Sequence, residues 1–283
     1  MKDGFKASAQ AEEKLNQLIA YLKSLNSVVI GFSGGVDSTF LIWAAKEALG
    51  AENVAAVTAV SPAFPKRERN EAIAYCKQLS ITHHFIVTHE LEIEAYAKNQ
   101  SNRCYLCKRE IFSQIKRFAE EEGYAAVVEG SNLDDNGDYR PGLKAVTELD
   151  IKSPLREVGL FKSDIRELSK ALDIPTWDKP SFACLATRFA YGETITVRKL
   201  AMVEAAEQLL FDLGFKQFRA RIHGEDLVRL EVAAEDIEKA ISHRGELEEK
   251  LKSLGFKFVT LDLSGYRTGS MNATLKQGEL WTQ

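Results

Sequence analysis

No stretch of this sequence is apolar for long enough to cross a bilayer, and none is a run of basic residues. The first absence speaks against a membrane-spanning helix. The second, with a formal net charge of −4, speaks against wholesale nucleic-acid binding and leaves room only for a local basic patch. The opening Met1-Lys2-Asp3-Gly4-Phe5-Lys6 lacks the apolar core of a signal peptide, so a cytoplasmic location is expected. Cysteine is scarce, with four in 283 residues. In a reducing compartment such cysteines point to metal binding or catalysis more than to disulfides. There is no internal repeat and no low-complexity tract. What is present is 45% hydrophobic residues, enough for real cores, in a chain long enough for two domains.

The stretch that organises the chain runs from Val28 to Thr39, Val-Val-Ile-Gly-Phe-Ser-Gly-Gly-Val-Asp-Ser-Thr. Its apolar, β-branched start reads as a buried parallel strand. Ser33-Gly34-Gly35 turns the chain, and Asp37-Ser38 opens a helix. The first turn of such a helix offers unpaired N–H groups and a positive dipole end, which makes an anion site. Gly34 and Gly35 let the backbone approach a phosphate closely, and Ser33 and Ser38 add hydroxyl donors. Asp37 would repel a bare phosphate, so its expected partner is Mg²⁺ carried by that phosphate. The stretch has neither the Walker lysine nor the third glycine of a dinucleotide fingerprint. It resembles the pyrophosphate loop of the N-type ATP pyrophosphatases, the PP-loop. The bland alternative is a glycine-rich turn between strand and helix.

Around it, helices and strands alternate. Residues 9–25 repeat Leu15, Leu18, Ile19, Leu22 and Leu25 at helical spacing. Residues 53–60 read as a second strand, broken by Ser61-Pro62-Ala63-Phe64-Pro65. Residues 66–79 read as a helix with Ala72, Ile73, Cys76 and Leu79 inward, and Cys76 as core. Residues 84–87 and 125–130 read as strands, and Lys152-Ser153-Pro154-Leu155 as a short fifth. The helix after it opens at Ser163, one residue off a capping box. The alternation predicts an α/β fold with a doubly wound parallel sheet. Ligands in such sheets sit beyond the carboxyl ends of the strands, where Ser33–Ser38, Ser61 and the polar loop from Gly130 to Gly142 are expected. His83, His84 and His89 look like a cluster, but their spacing matches no metal site and strand-end exposure is the plainer reading.

Cys104 and Cys107 form a Cys-x-x-Cys at the start of a helix, which brings two sulfurs together. Cys184 follows on a loop. Three thiolates suit an iron–sulfur cluster with one open iron, or a redox pair plus a sulfur carrier; zinc would want a fourth ligand. From Val197 the pattern changes to helix, two strands, helix 234–253 and strand 258–263, a small α+β domain. In Phe218–His223 the side chains of Arg219, Arg221 and His223 share one strand face. That face is either a charged edge or a pair of guanidiniums gathered around an anion, a phosphate or carboxylate. The expected division is a PP-loop domain over 1–190, a small substrate-binding or oligomerisation domain over 191–275, and a tail over 276–283.

The pyrophosphate loop, Tyr139-Arg140-Pro141-Gly142-Leu143-Lys144, Cys184-Leu185-Ala186-Thr187-Arg188-Phe189, Tyr191-Gly192, Arg219–His223 and Leu261–Gly269 occur in order. In this combination the chain resembles the LarE family over nearly its whole length. That resemblance implies an ATP-dependent sulfur transferase. It would adenylylate a carboxylate of pyridinium-3,5-biscarboxylic acid mononucleotide, on the route to the nickel-pincer cofactor of lactate racemase, and replace AMP by sulfur. ATP, Mg²⁺ and a 4Fe–4S cluster on Cys104, Cys107 and Cys184 are the implied cofactors. Ser33, Gly34, Gly35, Asp37, Ser38, Ser61 and Gly130 would hold nucleotide; Arg188, Arg219, Arg221 and His223 would hold substrate. One branch of the family spends the cysteine that matches Cys184; the presence of Cys104 and Cys107 matches the cluster-bearing branch instead. Implied partners are a nucleotide-like substrate, sulfide or a sulfur donor, other cofactor-biosynthesis proteins and copies of the same chain. The alternatives are sacrifice of Cys184, a tRNA thiouridylase, which would need a basic RNA surface, and a nucleotide-binding regulator without catalysis.

Overall fold

The computed structural model describes residues 6–137, 141–181, 183–267 and 269–270. Asp138, Tyr139, Arg140, Phe182, Thr268 and the 276–283 tail lie outside the described residues. In chain order the first elements are α1 (Ala9–Ser24), β1 (Val28–Gly31), α2 (Val36–Leu49), β2 (Val54–Val60), α3 (Lys66–Leu79) and β3 (Thr82–Val87). There follow α4 (Glu94–Ala97), α5 (Arg103–Glu121), β4 (Ala126–Val128), α6 (Gly142–Glu148), α7 (Pro154–Glu157) and α8 (Lys162–Ala171). The last are α9 (Val197–Asp212), β5 (Phe218–His223), β6 (Leu227–Val232), α10 (Ile237–Ser242), α11 (Arg244–Ser253) and β7 (Phe258–Leu261). Among the described residues no helix is long and apolar enough to cross a membrane.

Two compact units emerge, and the division is not a single cut at 190/191. One unit takes residues 1–88 and 104–182; the other takes residues 89–103 together with 183–283. Hydrogen bonding within the second unit explains why residues 89–103 belong there. Asn99, fully buried, donates from Nδ2 to the carbonyls of Phe189 (3.3 Å) and Ala190 (2.6 Å). The backbone N–H of Gly192 donates to Asn99 O, and that of Ile195 to Ala97 O.

The first unit is the expected doubly wound parallel sheet, in the order β3-β2-β1-β4. Val28 pairs with Val54 and with Ala126, all in parallel register. Because successive side chains alternate across a strand, the sheet feeds two cores. Val28, Ile30, Val54 and Ala56 pack on one face with Leu18, Leu22, Phe40, Leu41 and Ile165. Val29, Ala55 and Val57 pack on the other with Phe112, Ile115 and Val146. Gly31 belongs to this fit: a Cβ there would lie 2.8 Å from the Phe112 ring.

Three expectations are corrected. Lys152-Ser153-Pro154-Leu155 is not a fifth strand: Lys152 makes one parallel bridge to Val128, and Pro154 then opens α7. Proline favours the first helical position, where its missing N–H is no loss. The helix expected to open at Ser163 opens one residue earlier, with Phe161 as its cap and the Asp164 carboxylate accepting from the Phe161 N–H (3.0 Å). Ile73, expected inward, is exposed, whereas Ala72, Cys76 and Leu79 are buried.

The second unit carries the small sheet, in the order β5-β6-β7, with β5–β6 antiparallel and β6–β7 parallel. Gly214 ends α9 as expected, in the left-handed region at φ 77°.

Candidate active site

The N-terminus of α2 is built for an anion. Its cap is Gly35, which has no side chain to occupy the first N–H groups. Ser33 and Ser38 stand with their Oγ atoms 3.1 Å apart, and Ser38 Oγ donates to Gly35 O at 3.2 Å. A cavity of about 460 Å³ opens here, lined by Ser33, Gly35, Asp37 and Ser38 from the loop, and Gly130 to Asn132 from the segment after β4. Gly130 packs so closely on α2 that a Cβ would lie 3.1 Å from Ser38 N. Gly34 and Ser61 are not among the cavity-lining residues. The Gly34 carbonyl accepts from Lys179, and Ser61 Oγ, at the carboxyl end of β2, accepts from the Ala63 N–H (3.2 Å).

The loop's charges are paired with lysines that line the same cavity. Asp37 Oδ2 lies 2.5 Å from Lys162 Nζ. Burial pushes the Asp37 carboxyl up from its ordinary value, and the Lys162 cation offsets part of that rise. Asp37 Oδ1 is buried without a hydrogen-bond partner among the described residues, an open acceptor of the hard-oxygen kind that Mg²⁺ favours. Glu129, 5% exposed, accepts from Ser131 Oγ (2.7 Å) and Ser153 Oγ (2.6 Å), and Lys108 Nζ lies at 3.3 Å. Burial alone would raise its carboxyl; Lys108 and the two hydroxyls more than offset this, and it is held below the usual carboxylate range.

In the second unit the three predicted substrate arginines prove to be buried, and Arg188 and Arg221 pair with carboxylates of the protein itself. Arg188 is fully buried and forms a two-pronged pair with Glu207 of α9, at 2.7 and 2.8 Å. Its remaining nitrogen donates to the carbonyls of Ala183 (2.8 Å) and Cys184 (3.1 Å). Arg188 therefore fixes the backbone that carries Cys184. Arg221 donates to Glu231 (3.1 and 3.0 Å) and to Thr187 O (2.8 Å). Arg219 is 3% exposed, donates to Phe218 O and lies over the Tyr266 ring at 5.0 Å. Burial, then the Arg188 cation, pull it down to about 10, so it remains charged at neutral pH. The β5 face is thus not a solvated edge. His223 is half-buried and lowered by burial and by the Arg229 cation.

All four cysteines are outside disulfides. Cys76 is buried, and burial pushes its thiol up to about 12, as expected for a core cysteine. Cys104, Cys107 and Cys184 are half-buried. Cys104 and Cys107 stand three apart in the first turn of α5, and Cys184 caps a short 3₁₀ turn, Leu185–Arg188. Among the described residues no three Cys, His, Asp or Glu side chains form a ready metal-holding group. His83 and His84 are half-buried and His89 is exposed. His83 bonds to Thr58 Oγ1 (2.8 Å), His84 packs on Phe118, and His89 lies 3.2 Å from Glu92.

Residues 8–119 match the NAD synthase family. Over 266 residues, 93% of this chain and 98% of the relative, the sequence is 41% identical to an uncharacterized protein of Synechocystis sp.. It is 37% identical to the pyridinium-3,5-bisthiocarboxylic acid mononucleotide synthase of Lactiplantibacillus plantarum, over 94% of this chain and 96% of that one. The chain belongs to the LarE family, to which that synthase belongs. A more distant relative, 25% identical over 76% of this chain and 87% of its own length, is the NH(3)-dependent NAD(+) synthetase of Wolinella succinogenes. This LarE-family chain is accordingly an ATP-using enzyme of the PP-loop kind.

Several residues of this LarE-family chain escape sequence reasoning. Lys162 sits at the first position of α8 and Lys108 one residue past Cys107; both line the cavity at the start of α2. Lys108 adjoins a motif that is visible in the sequence, but nothing local marks Lys162. Glu207 and Glu231 come from α9 and β6, and only the tertiary pairing reveals them.

Proposed function

We propose that this protein is the ATP-dependent sulfur transferase that adenylylates a carboxylate of pyridinium-3,5-biscarboxylic acid mononucleotide and replaces the AMP by sulfur. The observation that carries the reading is the cavity at the start of α2, with Gly35, Asp37 and Ser38 facing Lys108 and Lys162. The substrate carboxylate oxygen attacks the α-phosphorus of ATP, the bond to the β-phosphate bridge breaks, and pyrophosphate leaves. The backbone donors of the α2 first turn and the two lysines take up the charge that grows on the leaving group. Asp37, with its open Oδ1, would hold Mg²⁺, which supplies further charge neutralisation. With Asp37 so engaged, Lys162 is released to the phosphates. Hydrosulfide then adds to the acyl carbon and expels AMP, leaving the thiocarboxylate and a proton. A carboxylate alone is a poor electrophile, and the acyl-AMP supplies the leaving group it lacks.

Arg219 would hold the phosphate or carboxylate of the substrate, as a fork-shaped cation suited to such an anion on the strand face it shares with Arg221 and His223. Cys104, Cys107 and Cys184 would hold a 4Fe–4S cluster; when bound, it delivers the sulfur. Soft thiolates favour that group.

Asp37→Ala tests the loop assignment. Formation of AMP and pyrophosphate from ATP and substrate should fall by about 10²–10³-fold with the fold intact, as for loss of one charge-stabilising group. Release of pyrophosphate at the normal rate by this variant would remove Asp37 from the site.

A further inference from the structure

Lys179 lies outside every motif of the chain and does not line the nucleotide cavity, yet it touches the pyrophosphate loop directly. Its ammonium donates to the carbonyl of Gly34 at 3.1 Å, to Glu68 Oε2 at 2.7 Å and to Glu71 Oε2 at 2.5 Å. The side chain is 13% exposed. The backbone around it is strapped down as well, for Arg166 of α8 donates to the carbonyls of Trp177 (2.6 Å) and Lys179 (2.7 Å).

The Gly34 carbonyl is the informative partner. No peptide bond in the described chain is cis. In a trans peptide the C=O and the following N–H point in opposite directions. Holding the Gly34 oxygen therefore fixes where the Gly35 N–H points: it makes a long contact to Ser33 Oγ (3.4 Å), and Ser33 and Gly35 line the cavity where Gly34 does not. The other side of the peptide is fixed by α3. Gly34 has φ 69°, and a Cβ there would lie 3.4 Å from the Glu68 carbonyl oxygen and 3.6 Å from Ala72 Cβ. The loop residue is pressed onto the first turns of α3, and Lys179 closes the arrangement.

We propose that Lys179 is a positioning residue for the nucleotide: by anchoring the Gly34 carbonyl it turns the Gly34–Gly35 peptide so that the Gly35 N–H serves the phosphate site. This rests on the reading of the cavity as the ATP site. Glu68, 4% exposed, then has two connections to Lys179: it completes the ammonium's coordination, and it depends on that ammonium for its own neutralisation.

The second connection makes a single variant ambiguous, because Lys179→Met leaves the buried Glu68 charge without its main partner and lowers the melting temperature. The double variant Glu68→Gln/Lys179→Met removes that charge and should restore the melting temperature toward wild type. The measurement is calorimetric titration of all three proteins with MgATP, beside their melting temperatures. The expected result is ATP affinity weaker by about tenfold in both variants, the worth of one preorganised hydrogen bond to an anion, with stability recovered only in the double variant. Wild-type affinity in the double variant would overturn the proposal and leave Lys179 as the counter-ion of Glu68. Failure of the wild-type protein itself to bind MgATP would instead overturn the nucleotide reading of the cavity, and the proposal with it.

Discussion

Arg219 and Arg221 are two residues apart on β5, and both are buried. Arg221 is matched by Glu231, which also takes Arg229 at 3.1 Å, and Arg188 is matched by Glu207. Such pairs are costly to break on one side, because the surviving charge is left buried. Arg219 is lowered by burial and by the Arg188 cation, with Glu207 acting in the opposite sense. Arg221→Ala should therefore destabilise the protein by about 3–5 kcal/mol, read as a shift in the denaturant midpoint. Arg219→Ala should weaken substrate binding by about ten- to hundredfold while leaving ATP affinity alone. Equal loss of ATP and substrate affinity on titrating Arg219→Ala would place this arginine with the nucleotide. Period-two alternation identified the shared face of Arg219, Arg221 and His223. It could not identify the carboxylates, because Glu207 and Glu231 reach that face only through packing.

At the scale of elements, β3 forms the edge of the parallel sheet and carries a buried relay. Thr58 Oγ1 donates to the Phe32 carbonyl (2.7 Å), one residue before the pyrophosphate loop, and so accepts from His83 Nε2 (2.8 Å). That leaves His83 neutral, with Nδ1 buried and unpartnered among the described residues. Burial, then His84, lower His83 to about 4. The folded state thus binds the proton less readily than the unfolded chain, whose histidine titrates near 6.5. The stabilisation is complete above that value and is lost as pH falls toward 4, by about 1–3 kcal/mol. Unfolding curves between pH 7 and 4 should show this slope in the wild-type protein and a flatter one in His83→Gln. An unchanged slope in the variant would move the acid sensitivity to other groups. Elements with a clear apolar signature were legible, β1 and α2 as continuous apolar runs and α3 by its helical spacing. Lys152–Leu155 was not: one bridging residue followed by proline has the composition of a strand, and Pro154 opens a helix once Ser153 turns the chain.

For the whole molecule, the order of motifs carried more than any local pattern. The strand–loop–helix at Val28–Thr39 was readable because glycine, hydroxyl and carboxylate occur at fixed offsets. The parallel sheet followed from alternation. The segment 89–103, which joins the second unit through Asn99 and Arg103, was not readable, since those side chains bond to carbonyls some ninety residues away and backbone acceptors leave no trace in sequence. The central claim is ATP-driven transfer of sulfur with Cys104, Cys107 and Cys184 as lasting ligands. It is tested most directly by turnover of the anaerobically reconstituted protein with substrate, MgATP and sulfide, reading nucleotide, product and intact protein mass together. The account predicts AMP and thiocarboxylated product in molar excess over the protein, a requirement for iron, and Cys184 unchanged in mass. One product per chain, with loss of the mass of H₂S at Cys184 and no need for iron, would contradict it.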